Sequence, residues 1–456
     1  MTDARITAEL LAKYDRPGPR YTSYPTVPEW REDFDSEAHK TALKEAKHSE
    51  AHMSLYTHIP FCKSRCAYCG CNVTVSDGET VEHYLDCLQK EISQVAQILG
   101  TGRQVTQCHW GGGTPTCLNE TEMQQLFSRL ASTFNFSRNA EIAIETNPSS
   151  VTESQLRCLA GLGFNRISFG VQDLDSAVQQ AICRNQTDTQ TRTAIDLCRS
   201  LGFRGINVDL IYGLPLQQER GWMQTIEKIV DMKPDRIAIY SYAHLPARFP
   251  HQVPLDTLSR PNAAQKYSLF ALARQRLLDA GYMAIGMDHF AQPDDELAMA
   301  LSKGTLNRNF MGYTVQQVPD QVGFGASAIS EIADRYIQNI KEPDAYCQAL
   351  KMDRLPTERG LCLSRDDVIR RWVIRKFMCT FVLNKDAFKN TFGVAFDEYF
   401  HEEVERLKYF AEEGMLSLDN DCVKITRLGC VFIRNICMEF DAYLTAQKKE
   451  IFSRTI

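Results

Sequence analysis

Six short apolar segments alternate with amphipathic, helix-like stretches through the middle of the chain, and this alternation limits the available folds most. The apolar segments lie at 53–60, 105–110, 141–145, 166–172, 206–212 and 236–242. Helix-like stretches fall between them at 80–98, 120–134, 153–162 and 189–201. Antiparallel strands join through tight turns, whereas successive parallel strands need crossovers of a dozen residues or more. Six β-then-α units therefore predict a parallel sheet with crossover helices. A closed barrel of this kind needs eight units, so the expected fold is α/β, a partial (β/α)6 TIM-type barrel. Segment 282–289 is a further strand candidate.

The flanks read differently. Residues 1–50 form an N-terminal extension in which Pro17, Pro19, Pro25 and Pro28 prevent a regular helix over 14–30. The barrel and its additions are expected to fill 51–355. Beyond that, 365–381 and 398–413 pattern as helices and 415–425 as a hairpin turning at Asp419-Asn420-Asp421, with a helix over 427–444. These predict a compact, mostly α-helical C-terminal domain at 356–456, with helices and a small hairpin in a winged-helix-like arrangement. Its mixed charges favour a packing or lid role over DNA binding.

Charge and hydropathy narrow the function. The net charge is -6 with no basic run, which argues against nucleic acid as the partner. No stretch reaches the roughly 18 uncharged apolar residues of a membrane span. The first residues carry Asp3, Arg5, Glu9 and Lys13 where a secretory leader has an apolar core. A cytoplasmic protein is expected, and the lack of a long heptad pattern suggests a monomer.

Sixteen cysteines in such a chain should be mostly reduced thiols. Twelve are scattered from Cys87 to Cys437 and read as small buried hydrophobes. Four fall within ten residues after the first strand: Cys62, Cys66, Cys69 and Cys71. Structural zinc takes paired knuckles separated by a longer loop, and no second knuckle follows here. Three soft thiolates on one tight loop suit an iron–sulfur cluster, leaving one iron of a [4Fe–4S] group open. His58 reads as a packed strand-end histidine. Phe61 and Tyr68 flank the thiols as shields or stacking partners.

The second strand ends in Trp110-Gly111-Gly112-Gly113-Thr114-Pro115. Triple glycine there allows a tight turn or a close ligand approach. Other strand ends supply Glu145, Gln172, Asp209 and Tyr242-Ala243, which a parallel sheet gathers on one face.

With these motifs on the page, the chain resembles the oxygen-independent coproporphyrinogen III oxidases of the radical S-adenosylmethionine superfamily. The resemblance rests on the 18–26 segment Gly-Pro-Arg-Tyr-Thr-Ser-Tyr-Pro-Thr, on 56–71, 109–116, 163–173, 209–215, 242–246 and 286–291, and on 434–438. It implies a [4Fe–4S] cluster on Cys62, Cys66 and Cys69, with two S-adenosylmethionine molecules beside it. Tyr56, Gly112, Glu145 and Ile329 would contact the first; Tyr68, Gly113, Thr114, Gln172, Arg184, Asp209 and Ala243 the second. Cys71 would serve activity from outside the cluster. Residues 144–148 depart from the family's more usual Glu-Val-Asp-Pro, with Glu145 retained.

The implied reaction removes a β-hydrogen and carbon dioxide from two propionates of coproporphyrinogen III, giving the vinyl groups of protoporphyrinogen IX for haem synthesis. No side-chain base takes a proton from so weak an acid, so a 5′-deoxyadenosyl radical from the cofactor would carry that step. An electron donor and acceptor are implied but not identified. The substrate's four carboxylates against a net-negative protein require local cations, and Arg16, Arg20, Arg184 and Arg308 are the candidates. The alternative is a haem-binding, chaperone-like relative without decarboxylase activity. Such relatives typically lack both the fourth cysteine and the Pro-Arg-Tyr-Thr-Ser-Tyr-Pro segment, and both are present. A zinc-stabilised binding module is a third reading.

Overall fold

A computed structural model describes residues 6–75, 78–316, 318–444 and 452–455. The first five residues of the expected extension, and 445–451 and 456 of the expected C-terminal domain, lie outside these. The twelve strands of the main sheet are β1 (Met53–Ile59), β2 (Gln104–Gly112), β3 (Asn135–Thr146), β4 (Arg166–Gln172), β5 (Gly205–Tyr212), β6 (Arg236–Ser241), β7 (Met283–Ile285), β8 (His289–Ala291), β9 (Asp320–Phe324), β10 (Ile329–Ile332), β11 (Arg335–Asn339) and β12 (Thr357–Cys362). Their spatial order is β12-β11-β10-β9-β1-β2-β3-β4-β5-β6-β8-β7. The six expected strands are β1 to β6, all parallel and adjacent in sequence order.

Local chemistry sets the helices between them. Asn119, Thr152 and Thr187 each cap a crossover helix reciprocally with a Glu or Gln three residues on, so two otherwise orphaned N–H groups are satisfied at each start. Gly163, at φ 94, ends the helix Glu153–Leu162 in the left-handed region. Along β4, residues facing the helices are buried and alternate with half-buried ones facing the barrel interior.

The sheet is wider than the sequence suggests. β9 pairs parallel with β1, making a seventh parallel strand, and β10 to β12 continue antiparallel from it. β9 reads Asp-Gln-Val-Gly-Phe, too short and too polar to stand out as a periodic apolar run. The candidate at 282–289 is two three-residue strands, β7 and β8, broken by a turn at Gly286.

A second hydrophobic core gathers Val373, Phe377, Phe388, Phe400 and Ile436 from the C-terminal region with Leu11, Tyr14, Tyr21 and Tyr24 from the N-terminal one. The extension is thus packed, and it contains a helix over Ala8–Tyr14 before the prolines begin. The hairpin is present as Leu416–Leu418 and Cys422–Ile425, joined by a third strand, Val382–Asn384. The helix expected over 427–444 is instead two short ones, Arg427–Val431 and Ile433–Met438, interrupted at Phe432.

The cysteine expectation also needs correction. All sixteen thiols are free, but of the twelve scattered ones only six are buried; Cys117, Cys158, Cys422 and Cys430 are half-buried, and Cys183 and Cys362 are exposed. Cys183 sits in a turn at φ 57, and Cys362 ends an edge strand. Apolar neighbours in sequence do not ensure burial at such positions.

Candidate active site

β1 ends at Ile59, and the chain then forms the loop that carries the four clustered cysteines. A two-residue pairing of Phe61–Cys62 with Thr74–Val75 closes the loop. Inside it, the Cys69 N–H donates to the Cys66 carbonyl at 3.2 Å, and the Ala67 N–H to the Ile182 carbonyl at 3.1 Å. Cys62 Sγ lies 3.2 Å from Thr114 Oγ1. Arg184 donates to Cys66 Sγ at 3.5 Å, and the Cys71 N–H to Cys69 Sγ at 3.4 Å. Hydrogen bonding from Cys71 pulls the Cys69 thiol down to about 7, helped by Arg65 and Arg184, whereas burial pushes Cys62 up. Cationic surroundings of this kind favour the thiolate that a metal needs.

The chemistry of the donor set fits an iron–sulfur cluster: Cys62, Cys66 and Cys69 offer three soft thiolates from one tight loop, where a structural zinc ion takes four ligands from paired knuckles.

The glycine run explains itself through the protein's own atoms. A Cβ on Gly111 would lie 2.9 Å from the Glu145 carboxylate. On Gly112, at φ 117, it would lie 2.7 Å from the His58 ring, and on Gly113 it would lie 2.6 Å from the Phe61 carbonyl oxygen. The glycines therefore let β2 close against the root of the cysteine loop. His58 packs as expected, with Nδ1 3.1 Å from the Tyr56 hydroxyl and Nε2 3.2 Å from the Asn72 carbonyl.

Glu145 accepts from His109 Nε2 at 3.1 Å and from the Gly112 N–H at 3.2 Å. Burial pushes its carboxyl up, but His109 and the Gly112 N–H outweigh that and hold it below the ordinary value. Tyr56, Gly112, Glu145 and Ile329 all line one cavity of about 1420 Å³, together with Cys71. That exceeds the ~300–1,000 Å³ usual for a drug-sized ligand.

The second expected set lies around the other side of the loop. Gln252 Nε2 donates to the carbonyls of Tyr68 at 2.9 Å and Ala243 at 3.3 Å, tying the two together. Arg184 also donates to Asn147 Oδ1 at 3.1 Å and to the Gly170 carbonyl. Gln172 adopts φ 69. Its Oε1, like Arg184 Nε, is buried and has no hydrogen-bond partner among the described residues, so both have bonding capacity left for a further polar group. Asp209 accepts from Ser168 and Asn207 at 2.7 and 2.8 Å, and it lines a smaller cavity of about 130 Å³ shared with Glu145.

Of the four arginines weighed for the substrate, only Arg20 lines the large cavity. Arg16 faces Glu439 at 3.7 Å, Arg184 serves the loop, and buried Arg308 donates to the carbonyls of Arg20 and Tyr21. Sequence reasoning missed Arg65, Arg248, Lys341 and Arg359, which also line it. Their spread from 65 to 359 leaves no local motif to find.

Comparison with known proteins follows this geometry. The Radical SAM superfamily profile matches residues 56–229 and the HemN C-terminal domain profile matches 363–432. The chain is 42% identical over 449 residues to the oxygen-independent coproporphyrinogen III oxidase of Salmonella typhimurium, covering 98% of each. It is 41% identical to that of Synechocystis, covering 99% of this chain and 98% of the relative. The solved coproporphyrinogen III oxidase HemN of Escherichia coli, a radical SAM enzyme, superposes with a TM-score of 0.89 at 41% identity, over 93% of this chain and 98% of that one.

Proposed function

The chain belongs to the oxygen-independent coproporphyrinogen III oxidases of the radical S-adenosylmethionine superfamily, and from that membership we infer its reaction. It is an oxidoreductase of haem biosynthesis that turns two propionates of coproporphyrinogen III into vinyl groups, each losing carbon dioxide, one hydrogen atom and one electron. When bound, a reduced [4Fe–4S] cluster with S-adenosylmethionine supplies the radical chemistry that takes the hydrogen from an unactivated carbon. Full-length identity to named oxidases, joined to a cysteine loop opening on a cavity of about 1420 Å³, carries this reading.

The chain's own residues bind, orient and shield. We assign Cys62, Cys66 and Cys69 to the cluster, with Arg184 donating to Cys66 to steady its charge. Glu145, held ionised by His109 and the Gly112 N–H, offers its carboxylate to donors of the cofactor beside Tyr56, Gly112 and Ile329. The orphaned Gln172 and Arg184 atoms support a second S-adenosylmethionine on the Tyr68, Gly113, Thr114, Asp209 and Ala243 side. Cys71 faces the large cavity, where a thiol can pass a hydrogen or proton to substrate.

We further read the chain as an arm (1–50), the barrel (51–355) and a C-terminal domain (356–456), working as a cytoplasmic monomer with an electron donor and acceptor still to be identified. Among the described residues no helix is long and apolar enough to cross a membrane.

Anaerobic assay of reconstituted protein with dithionite, S-adenosylmethionine and coproporphyrinogen III tests the function. Protoporphyrinogen IX is expected. Haem binding without product would instead support the chaperone-like alternative, and stoichiometric zinc without iron would overturn the cluster.

A further inference from the structure

Five Lys or Arg side chains line the large cavity, namely Arg20, Arg65, Arg248, Lys341 and Arg359, and among the described residues Glu145 is the only acid that lines it. In a chain of net charge -6 this is a local reversal of sign. Low-dielectric walls strengthen such a field toward an anion. Among the described residues, Lys341 alone of the five has a carboxylate partner, Glu358 at 3.0 Å.

These cations gather round the cysteine loop. Asn72 in that loop donates to the Lys341 carbonyl at 2.9 Å. His251 Nε2 donates to the Cys69 carbonyl at 2.6 Å, so the segment just after Arg248 lies against the thiols. Phe249, over which the Arg248 guanidinium sits at 5.5 Å, packs against Gly70. Arg359 lies in β12 opposite Gln338 of β11, and its Nε donates to Gln338 Oε1 at 2.8 Å. That bond fixes the guanidinium plane and leaves its two terminal nitrogens for another acceptor. Gln338 is itself held by the Ser327 carbonyl at 3.2 Å.

Resting on the function proposed above, we propose that Arg248 and Arg359, with Arg65 on the cysteine loop, form a carboxylate subsite that grips the propionates of the tetrapyrrole substrate. Burial depresses the Arg359 guanidinium, Glu358 and Glu32 partly offset that, and the Arg248 charge adds to the depression, so the two guanidiniums are near enough to share one anion. The planar forks suit bidentate carboxylate recognition. Strands β11 and β12, additions beyond the parallel sheet, thereby have a purpose: they bring substrate charge recognition to the cavity that Cys71 of the cysteine loop also lines.

S-adenosylmethionine also bears a carboxylate, so the test separates the two sources. In Arg248→Gln, Arg359→Gln and the double variant, KM is measured separately for coproporphyrinogen III and for S-adenosylmethionine. Binding of the stable oxidised porphyrin, coproporphyrin III, is followed by fluorescence in the same proteins. Each arginine should be worth about tenfold in porphyrin affinity and in KM for coproporphyrinogen III. KM for S-adenosylmethionine, iron content and melting temperature should stay unchanged, and Arg359→Lys should recover part of the loss. Unchanged porphyrin binding overturns the subsite, as does a shift confined to S-adenosylmethionine. If wild-type protein makes no protoporphyrinogen, the proposed function fails, while the porphyrin-binding comparison still decides the subsite.

Discussion

Arg434 Nε donates to the Pro19 carbonyl at 2.9 Å, fastening the helix Ile433–Met438 to the N-terminal strap that walls the large cavity. Its other nitrogens reach the carbonyls of Gly18, Arg454 (2.9 Å) and Ser453 (3.3 Å). The side chain is 5% exposed, and burial, with Arg20 beside it, lowers the guanidinium to about 9. Arg434→Met leaves several carbonyls unpaired, at about 1–3 kcal/mol for each that stays dry. A melting temperature lower by several degrees is expected, with faster proteolysis within residues 6–30 and loss of turnover. A variant as stable and protease-resistant as wild type would show that the strap is held by its apolar contacts alone.

Gly113→Ala should prevent cluster assembly. The new methyl would stand 2.6 Å from the Phe61 carbonyl oxygen and 3.0 Å from Phe61 N. Both are backbone atoms that cannot swing aside without moving the start of the cysteine loop. Iron and sulfide per chain after anaerobic reconstitution should fall well below half of wild type. Gly161→Ala is the matched control, because its methyl meets nothing within 4 Å. Gly161 lies in the helix Glu153–Leu162, where alanine should add about 0.5–1 kcal/mol of stability.

These residues also mark where the sequence was informative. The thiol loop was legible because its four cysteines are neighbours in sequence, and β1 to β6 because each is an apolar run set apart by a helix. Glu145, Gln172 and Asp209 were legible because a parallel sheet puts strand ends together. The glycine run was found, but its reason was not: close approach of His58, Phe61 and Glu145 is a tertiary matter. β9 was invisible because only its pairing with β1 makes it a strand. Arg248 and Arg359 were invisible because nothing local distinguishes them from surface charges, and the helix over 427–444 was overextended because periodicity does not register the break at Phe432.

Cys66→Ser and Cys71→Ser should separate two kinds of thiol. A serine oxygen is a poor donor to a soft metal, so Cys66→Ser should lose the brown absorbance and the iron. Cys71 faces the cavity and meets Cys69 Sγ through both its N–H and its own side chain, and serine keeps the N–H and places a hydroxyl where the thiol stood. Cys71→Ser should therefore keep near-normal iron and sulfide while losing turnover by at least about tenfold. Full turnover in that variant would make Cys71 a bystander.

His39 gives a pH signature of the fold. It is 1% exposed in the helix Ser36–Ala46, with Nδ1 3.0 Å from Thr357 Oγ1 on β12 and Nε2 buried without a partner. Burial lowers the ring to about 4 from 6.5. The unfolded chain therefore takes up a proton below pH 6.5 that the folded one refuses until about pH 4. Stability from this group is whole above pH 6.5 and is lost progressively as pH falls to 4, by a few kcal/mol in order of magnitude. His39→Gln keeps a donor toward Thr357 but cannot titrate. The wild type should be the more stable at pH 7, and its advantage over the variant in thermal unfolding should shrink steadily from pH 6.5 to 4.5. A difference that stays constant across that range would mean the folded state accommodates the imidazolium.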